Sequence, residues 1–229
     1  MRANRYADAL DNAAFRRWFG DSRVVDKQGE PLVVWHGHPG NIPDFFVFDP
    51  SQVIDLGFHF GSRSIASEFG TPRPFYLSIQ HPLLLNDPGD WIDRDGTLKQ
   101  ISYDPKGELR QPWMLVTAEE GKQARQYIAE LKAEWKAKQT GRPQTDPAFR
   151  HYRAIASGVL RSLIEHAGYD GVVYTNKVEG SAPTTSWVAF HSSQIKSATD
   201  NIGTFDPKNP DIRKNGRSRS SRRRSSRKR

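Results

Sequence analysis

Three short stretches carry the side chains best suited to chemistry. The first is His36-Gly37, which closes the apolar run Pro31-Leu-Val-Val-Trp35. An imidazole there can donate to or accept from a ribose hydroxyl. The glycine beside it lets the backbone approach a flat ligand and offer N–H and C=O to a carboxamide. The second stretch is Gly57-Phe-His-Phe60, followed by a segment ending in Phe69. Rings at Phe58, His59 and Phe60 on a strand, with Phe69 on the next helix, can sandwich a planar heterocycle. The third is Glu179, in a polar connection between two apolar runs. A carboxylate there can stabilise positive charge building on the anomeric carbon of a sugar.

Each of these residues also has a purely structural use. A histidine at a strand end is a common hydrogen-bonding support, the phenylalanines suit a core, and a loop glutamate suits solvent. His36, His38 and His59, with Asp44 and Asp49 nearby, offer a further alternative as metal ligands. Two histidines one residue apart make an incomplete ligand set without a third ligand and an acid.

The elements that must hold these residues follow from periodicity and punctuation. Phe15, Trp18 and Phe19 form the stripe of a first helix that Gly20 stops. Residues 31–35 read as a buried strand, with His36 to Gly40 as the loop after it. Phe45 to Phe48 alternates briefly. Gly57 to Gly61 is a second strand, running into a helix at 62–69 that Ser62 or Ser64 can cap and Gly70 ends. Residues 74–79 form a third strand, and after Pro82 and Leu83-Leu-Leu85 the reading is irregular up to about Pro112.

Helices follow at 118–138, with Tyr127, Ile128, Leu131 and Trp135 on one face, and at 146–166, with Phe149, Tyr152, Ile155, Val159, Leu160 and Leu163. Val172-Val-Tyr174 and Trp187-Val-Ala-Phe190 are strands, and Ile195 starts a last short one. The connection from Thr175 to Ser186 is longer than a tight hairpin needs, which marks it as a functional loop. Strands at both ends with helices between them predict an α+β fold around a split, mainly antiparallel sheet.

Bulk composition narrows the classes. The 229 residues suit one domain of ordinary size with an extension. The chain has no cysteine, which excludes disulfides, a thiol nucleophile and thiolate zinc sites and fits a reducing compartment. No run of about 18 apolar residues exists, and the N-terminus lacks the apolar stretch of a secretory signal. The net charge of +8 is concentrated at one end: residues 213–229 hold ten Lys and Arg and no acid. The remainder carries 24 basic against 26 acidic side chains, close to neutral. A segment without apolar residues cannot offset its ordering entropy, so 213–229 reads as a disordered basic tail. It is either an electrostatic tether for nucleic acid or another polyanion, or a solubilising terminus. Signatures for Rossmann and P-loop nucleotide binding, the serine nucleophile elbow and the zinc metalloprotease helix are all missing from the sequence.

The order of the segments is more specific than any one of them. Phe15 to Ser22, Val24 to Gly37, Gly57 to Phe60, Ala66 to Phe69, Phe75 to Leu77, Gly168 to Val173, Trp187 to Phe190 running into Gln194 to Ala198, then Asn201 to Asp206 and Asn209 to Ile212 follow one another. Together they resemble the ADP-ribosyltransferase domains of phage and mobile-element polyvalent proteins, within the diphtheria-toxin-like and poly-ADP-ribose-polymerase-like class. The likeness covers about 12–212, apart from a helical insertion near 100–150, and implies one transferase domain over 1–212.

It also implies a mono-ADP-ribosyltransferase in the cytoplasm of a bacterial or phage-infected cell, or one delivered with a virion or as an effector, with NAD as co-substrate, no metal, and a protein or nucleic acid as acceptor. His36 resembles the histidine that holds the ribose next to nicotinamide, and Gly37 the backbone clamp for the carboxamide. His59 falls where the wider class often has tyrosine, and Phe69 resembles its second stacking aromatic. The binding set thus expected is His36, Gly37, His38, Phe58, His59, Phe60, Ser64 and Phe69, and the catalytic set His36, His59 and Glu179.

Two departures stand out. The class carries its catalytic glutamate at the start of the last hairpin strand, where this chain has Ser186, so Glu179 is the candidate replacement. His38 stands where related domains tend to have Thr or Ser. These departures leave a catalytically inactive NAD-binding module, or a nucleic-acid-binding module, as the alternative.

Overall fold

The computed structural model describes residues 10–38, 47–50, 53–92, 97–101, 117–139, 142–143, 146–180, 183–201 and 203–213. Helix α1 (Ala13–Phe19) forms as its aromatic stripe predicts, with the Asn12 side chain accepting from the Ala14 and Phe15 amides. Strand β1 (Val34–His38) is followed by β2 (Phe58–Phe60), α2 (Arg63–Glu68), β3 (Thr71–Leu77) and β4 (Pro82–Asn86). Helices α3 (Thr97–Ile101), α4 (Ala118–Lys138) and α5 (Pro147–His166) come next, then β5 (Gly171–Asn176), β6 (Thr184–Ala189) and β7 (Ile195–Ser197).

The strands form two sheets, β1-β3-β7 and β2-β6-β5-β4, and every strand pair is antiparallel except β4 with β5. A single bridge, Trp35 with Gly61, joins β1 to the end of β2. The expected split α+β architecture is therefore present. One core of Val34, Phe48, Phe60, Phe75, Leu77, Trp187 and Ile195 lies between the sheets, and a second packs α4 and α5 against β4, β5 and β6.

Four local expectations change. The stretch 31–35 is not one strand: Pro31 only bridges Val25, and β1 begins at Val34. It then continues through His36, Gly37 and His38, which were expected in a loop. The reason is its partner. β3 starts at Thr71 rather than Pro74, so His36, Gly37 and His38 pair with Arg73, Pro72 and Thr71. Pro74 costs no ladder bond there. Its carbonyl accepts from Ala198 on the far side, so its nitrogen also faces away from β1.

The third change is α3, a helix over Thr97–Ile101 inside the stretch read as irregular, while the three leucines before that stretch form β4. Leu83 and Leu85 are buried and Leu84 is exposed, the alternation of an edge strand. The Gln100 side chain closes part of that edge by bonding both N–H and C=O of Asn86. Finally, Tyr127 is exposed, although it was placed on the apolar face with the buried Ile128.

Ser62, not Ser64, caps α2, and its hydroxyl accepts from the Ile65 amide. Phe45 and Phe46 lie outside the described residues, while Phe48 is fully buried. Arg213, the last described residue, pairs with Asp211, and the rest of the basic tail lies outside the described residues. No described helix is long and apolar enough to cross a membrane.

Candidate active site

A cavity of about 420 Å³ opens where the two sheets meet. One wall is β1, β2 and α2, contributing Trp35, His36, Gly37, His59, Gly61 and Phe69. The other wall comes from three loops and the β5–β6 pair, contributing Asp55, Asp87, Trp91, Tyr174, Asn176, Glu179 and Ser186. The fold therefore gathers His36, Gly37, His59, Phe69 and Glu179 around one space, although they are spread over about 140 positions of sequence. Its size is within the range of small-molecule pockets, roughly 300–1,000 Å³.

His36 is held by geometry that fixes its proton. Its Nδ1 lies 2.7 Å from the His59 carbonyl oxygen, which can only accept, so Nδ1 carries the hydrogen. Burial pushes the imidazole pKa down to about 4, assisted by the nearby His59 and His38 rings, while the carbonyl bond opposes the shift. His36 is thus a neutral imidazole near pH 7, with Nε2 left as an acceptor for a hydroxyl. This bond also crosses from β1 to β2, so the residue that faces the cavity helps join the two sheets.

Gly37 is required first by packing. A Cβ at this position would collide with the Ala66 carbonyl and lie 2.8 Å from the Phe69 Cβ, so only glycine lets β1 lie this close to α2. That approach sets Phe69 at the cavity mouth, where it is 53% exposed, an unusual position for a phenylalanine without an occupant to stack on.

Alternation along β2 separates its three rings. His59 faces Tyr174, with Nδ1 3.2 Å from the phenol oxygen, and stands edge-on to Trp91 at 5.7 Å. Its Nε2 is buried without a hydrogen bond, 4.0 Å from an Asp55 carboxylate oxygen. Phe58 and Phe60 border the cavity, but their rings belong to the core and pack against Phe48 at 5.0 and 5.5 Å. His38 ends β1 and Ser64 is exposed with its hydroxyl on Ser62, and neither lines the cavity.

Glu179 is placed by a turn that the Asn176 side chain builds. Asn176 is buried, and its Oδ1 accepts from the Val178 and Glu179 amides at 3.2 and 3.0 Å. Asp87 accepts from the Lys177 amide at 3.1 Å, tying that turn to the loop after β4. Among the described residues, the lining has three carboxylates, Asp55, Asp87 and Glu179, and neither Lys nor Arg. Their field is felt at Tyr174, whose pKa is raised by burial first and by Asp87, Glu179 and Asp55 after it. Such a wall favours positive charge developing beside it.

Ser186, at the position where a glutamate was expected, is buried opposite Tyr174 in the β5–β6 register. It lies close enough to favour the phenolate slightly, but its Oγ makes no hydrogen bond of normal geometry.

Sequence reasoning missed Trp35, Asp55, Asp87, Trp91 and Tyr174. The clearest available signal was Asp87-Pro-Gly-Asp-Trp91, turn formers that follow three leucines and Asn86. The described residues contain no group of three or more His, Cys, Asp or Glu placed to hold a metal ion, and Asp44 lies outside them.

Comparison with known proteins identifies a family. Residues 26–205 match the family described as ADP-ribosyltransferase in polyvalent proteins, a span that includes every residue named in the cavity. No curated protein and no solved structure matches the chain. With most of its length matched, the chain belongs to the ADP-ribosyltransferase family of polyvalent proteins.

Proposed function

We propose that this protein cleaves NAD at the bond between nicotinamide and ribose and transfers one ADP-ribose to a macromolecular acceptor, protein or nucleic acid. The observation that carries the reading is the convergence of His36, His59, Phe69 and Glu179 on one cavity with an acidic wall. The donor set suits this substrate: flat side chains for a heterocycle, a neutral imidazole acceptor for a ribose hydroxyl, and carboxylates for a cationic sugar.

The charges dictate the chemistry. The C1–N bond breaks, its electron pair leaves with nicotinamide, and the ring loses its positive charge. The ribose carbon gains oxocarbenium character, which Glu179 stabilises across the cavity. His36 Nε2 accepts from a ribose hydroxyl and limits rotation of the sugar, while Phe69 and His59 confine the ring. The acceptor bonds to C1 and gives up a proton, for which Glu179 is the base. As written, these steps need no metal. The basic tail, 213–229, serves as a polyanion tether that brings the domain to its acceptor.

One observation favours a second reading, an NAD-binding module without turnover: Ser186 supplies no carboxylate where the wider class has one. Incubation with NAD labelled in the nicotinamide ring separates the two. Release of free nicotinamide that disappears in His36→Ala and Glu179→Ala supports the transferase. Binding without release supports the inactive module. No binding of NAD, together with salt-sensitive nucleic-acid binding lost on deletion of 213–229, overturns both.

A further inference from the structure

The acidic wall is made largely of loops, and two of them are held by one side chain from outside the cavity. Arg153, on α5, is nearly buried, with a side-chain exposure of 12%. Its Nε donates to the Ile54 carbonyl at 2.9 Å, and one terminal nitrogen donates to Asp90 at 2.7 Å. The other terminal nitrogen stands 3.9 Å from the Asp55 carboxylate. One planar guanidinium therefore reaches the loop before β2 and the loop after β4 at once.

Both loops are wired to the cavity at the same places. The Asp90 oxygen that receives Arg153 also accepts from the Ile92 amide, which fixes the turn carrying Trp91. Trp91 packs against Tyr174 at 4.8 Å and against His59 at 5.7 Å. On the other loop, Asp55 accepts from the Leu56 amide and faces the unpartnered His59 Nε2. One helical turn further along α5, Ser157 donates to the Asp55 carbonyl. The helix thus bonds the backbone of Asp55 and pairs with its carboxylate, which stands 4.0 Å from His59 Nε2.

We infer that Arg153 is a positioning residue of the candidate active site: from α5 it locks the two loops that set Asp55 and Trp91 around His59. A guanidinium suits this task because its two hydrogen bonds and its ion pair leave from three separate nitrogens in fixed directions, whereas the three donors of a lysine share one nitrogen. Helix α5 is thereby coupled to the cavity, chiefly through one side chain.

Amide hydrogen exchange on the full chain tests the lock without any ligand. Arg153→Ala should speed exchange of the Leu56 and Ile92 amides by about 10- to 100-fold, the worth of charge-assisted hydrogen bonds, with the β5–β6 amides unchanged. Arg153→Lys should recover at most one of the two loops. Asp90→Ala should release Ile92 and leave Leu56 protected. A control on the same helix, Leu163→Ala, should loosen α5 without singling out these two amides. Equal exchange in Arg153→Ala and wild type, or full recovery with lysine, overturns the assignment.

A kinetic arm rests on the NAD-cleavage reading. There Arg153→Ala should raise KM for NAD by about tenfold or more with kcat changed less, because Asp55 and Trp91 are displaced directly while His36 stays in its strand and Glu179 keeps the turn built by Asn176. The Leu163→Ala control should not shift KM. A wild-type protein that binds no NAD defeats the functional reading alone, since the exchange arm still decides the role of Arg153.

Discussion

The two walls of the cavity are built in different ways. The wall of β1, β2 and α2 is held by backbone pairing: His36 and Gly37 sit in a ladder with Arg73 and Pro72, and His59 in one with Val188. Removing a side chain there leaves the backbone where it was. The acidic wall is held by side chains acting on loops, namely Asn176 on the 176–180 turn, Asp87 on Lys177, and Arg153 on both neighbouring loops. Loss of one such side chain moves the wall itself. Substitutions on the strand wall should therefore report the chemistry of the residue replaced, and those on the loop wall should mix chemistry with position.

His36→Ala sharpens this contrast most. On the proposed reading, deleting the neutral imidazole removes the acceptor for the ribose and leaves β1 paired, so nicotinamide release should fall by about 10²- to 10³-fold with little change in the fold. The check is kcat/KM together with the circular dichroism spectrum. A loss of activity that follows unfolding would show that the His36–His59 carbonyl bond is chiefly a strut.

The same residue gives a pH prediction whose sign is set by burial. The folded pKa, about 4, lies below the ordinary 6.5, so the unfolded chain binds a proton that the folded chain refuses between these values. Stability from His36 is complete above about pH 6.5 and declines as pH falls towards 4, by roughly 3 kcal/mol in all. Urea unfolding of wild type and His36→Gln across this interval should show the acid-side slope reduced in the variant. An unchanged slope would falsify the neutral assignment.

Glu179→Gln probes the loop wall with the smallest change of shape. The amide keeps the size of the side chain but carries no charge, so kcat should drop by about 10²-fold while NAD affinity changes little. Glu179→Asp shortens the reach and should fall between the two. An affinity loss as large as the rate loss would mean that the turn on Asn176, not the charge, was disturbed.

This division also explains what the sequence could reveal. The strand wall was legible because each of its residues sits next to its own structural signal. His36-Gly37 follows β-branched residues, His59 lies within alternating phenylalanines, and Phe69 ends a capped helix. Even there the boundary of β1 was misplaced, because its length is set by pairing with β3, a partner some 35 residues away. Asp55 and Asp87 were not legible. Their role depends on the parallel pairing of β4 with β5 and on an arginine about 100 positions from Asp55, neither of which leaves a local pattern. Glu179 was legible as a candidate through the length of its connection and through the missing acid at Ser186, and the structure places it on the cavity lining.

The smallest effect is expected at Ser186, where the two walls meet and the wider class would carry its acid. Its hydroxyl is buried without a hydrogen bond of normal geometry, and a Cβ placed on Gly61 would lie 2.9 Å from its Oγ. An unpartnered buried hydroxyl is a cost to the folded state, so Ser186→Ala should leave stability within about 1 kcal/mol of wild type or raise it. Activity should change by less than about threefold, since the alanine leaves Glu179 and the acidic wall untouched. Thermal melts and nicotinamide release measured side by side decide the point. If Ser186→Ala abolishes release as Glu179→Gln is expected to, the reacting carbon lies against β6 rather than the 176–180 turn, and the carboxylate to look for is not Glu179.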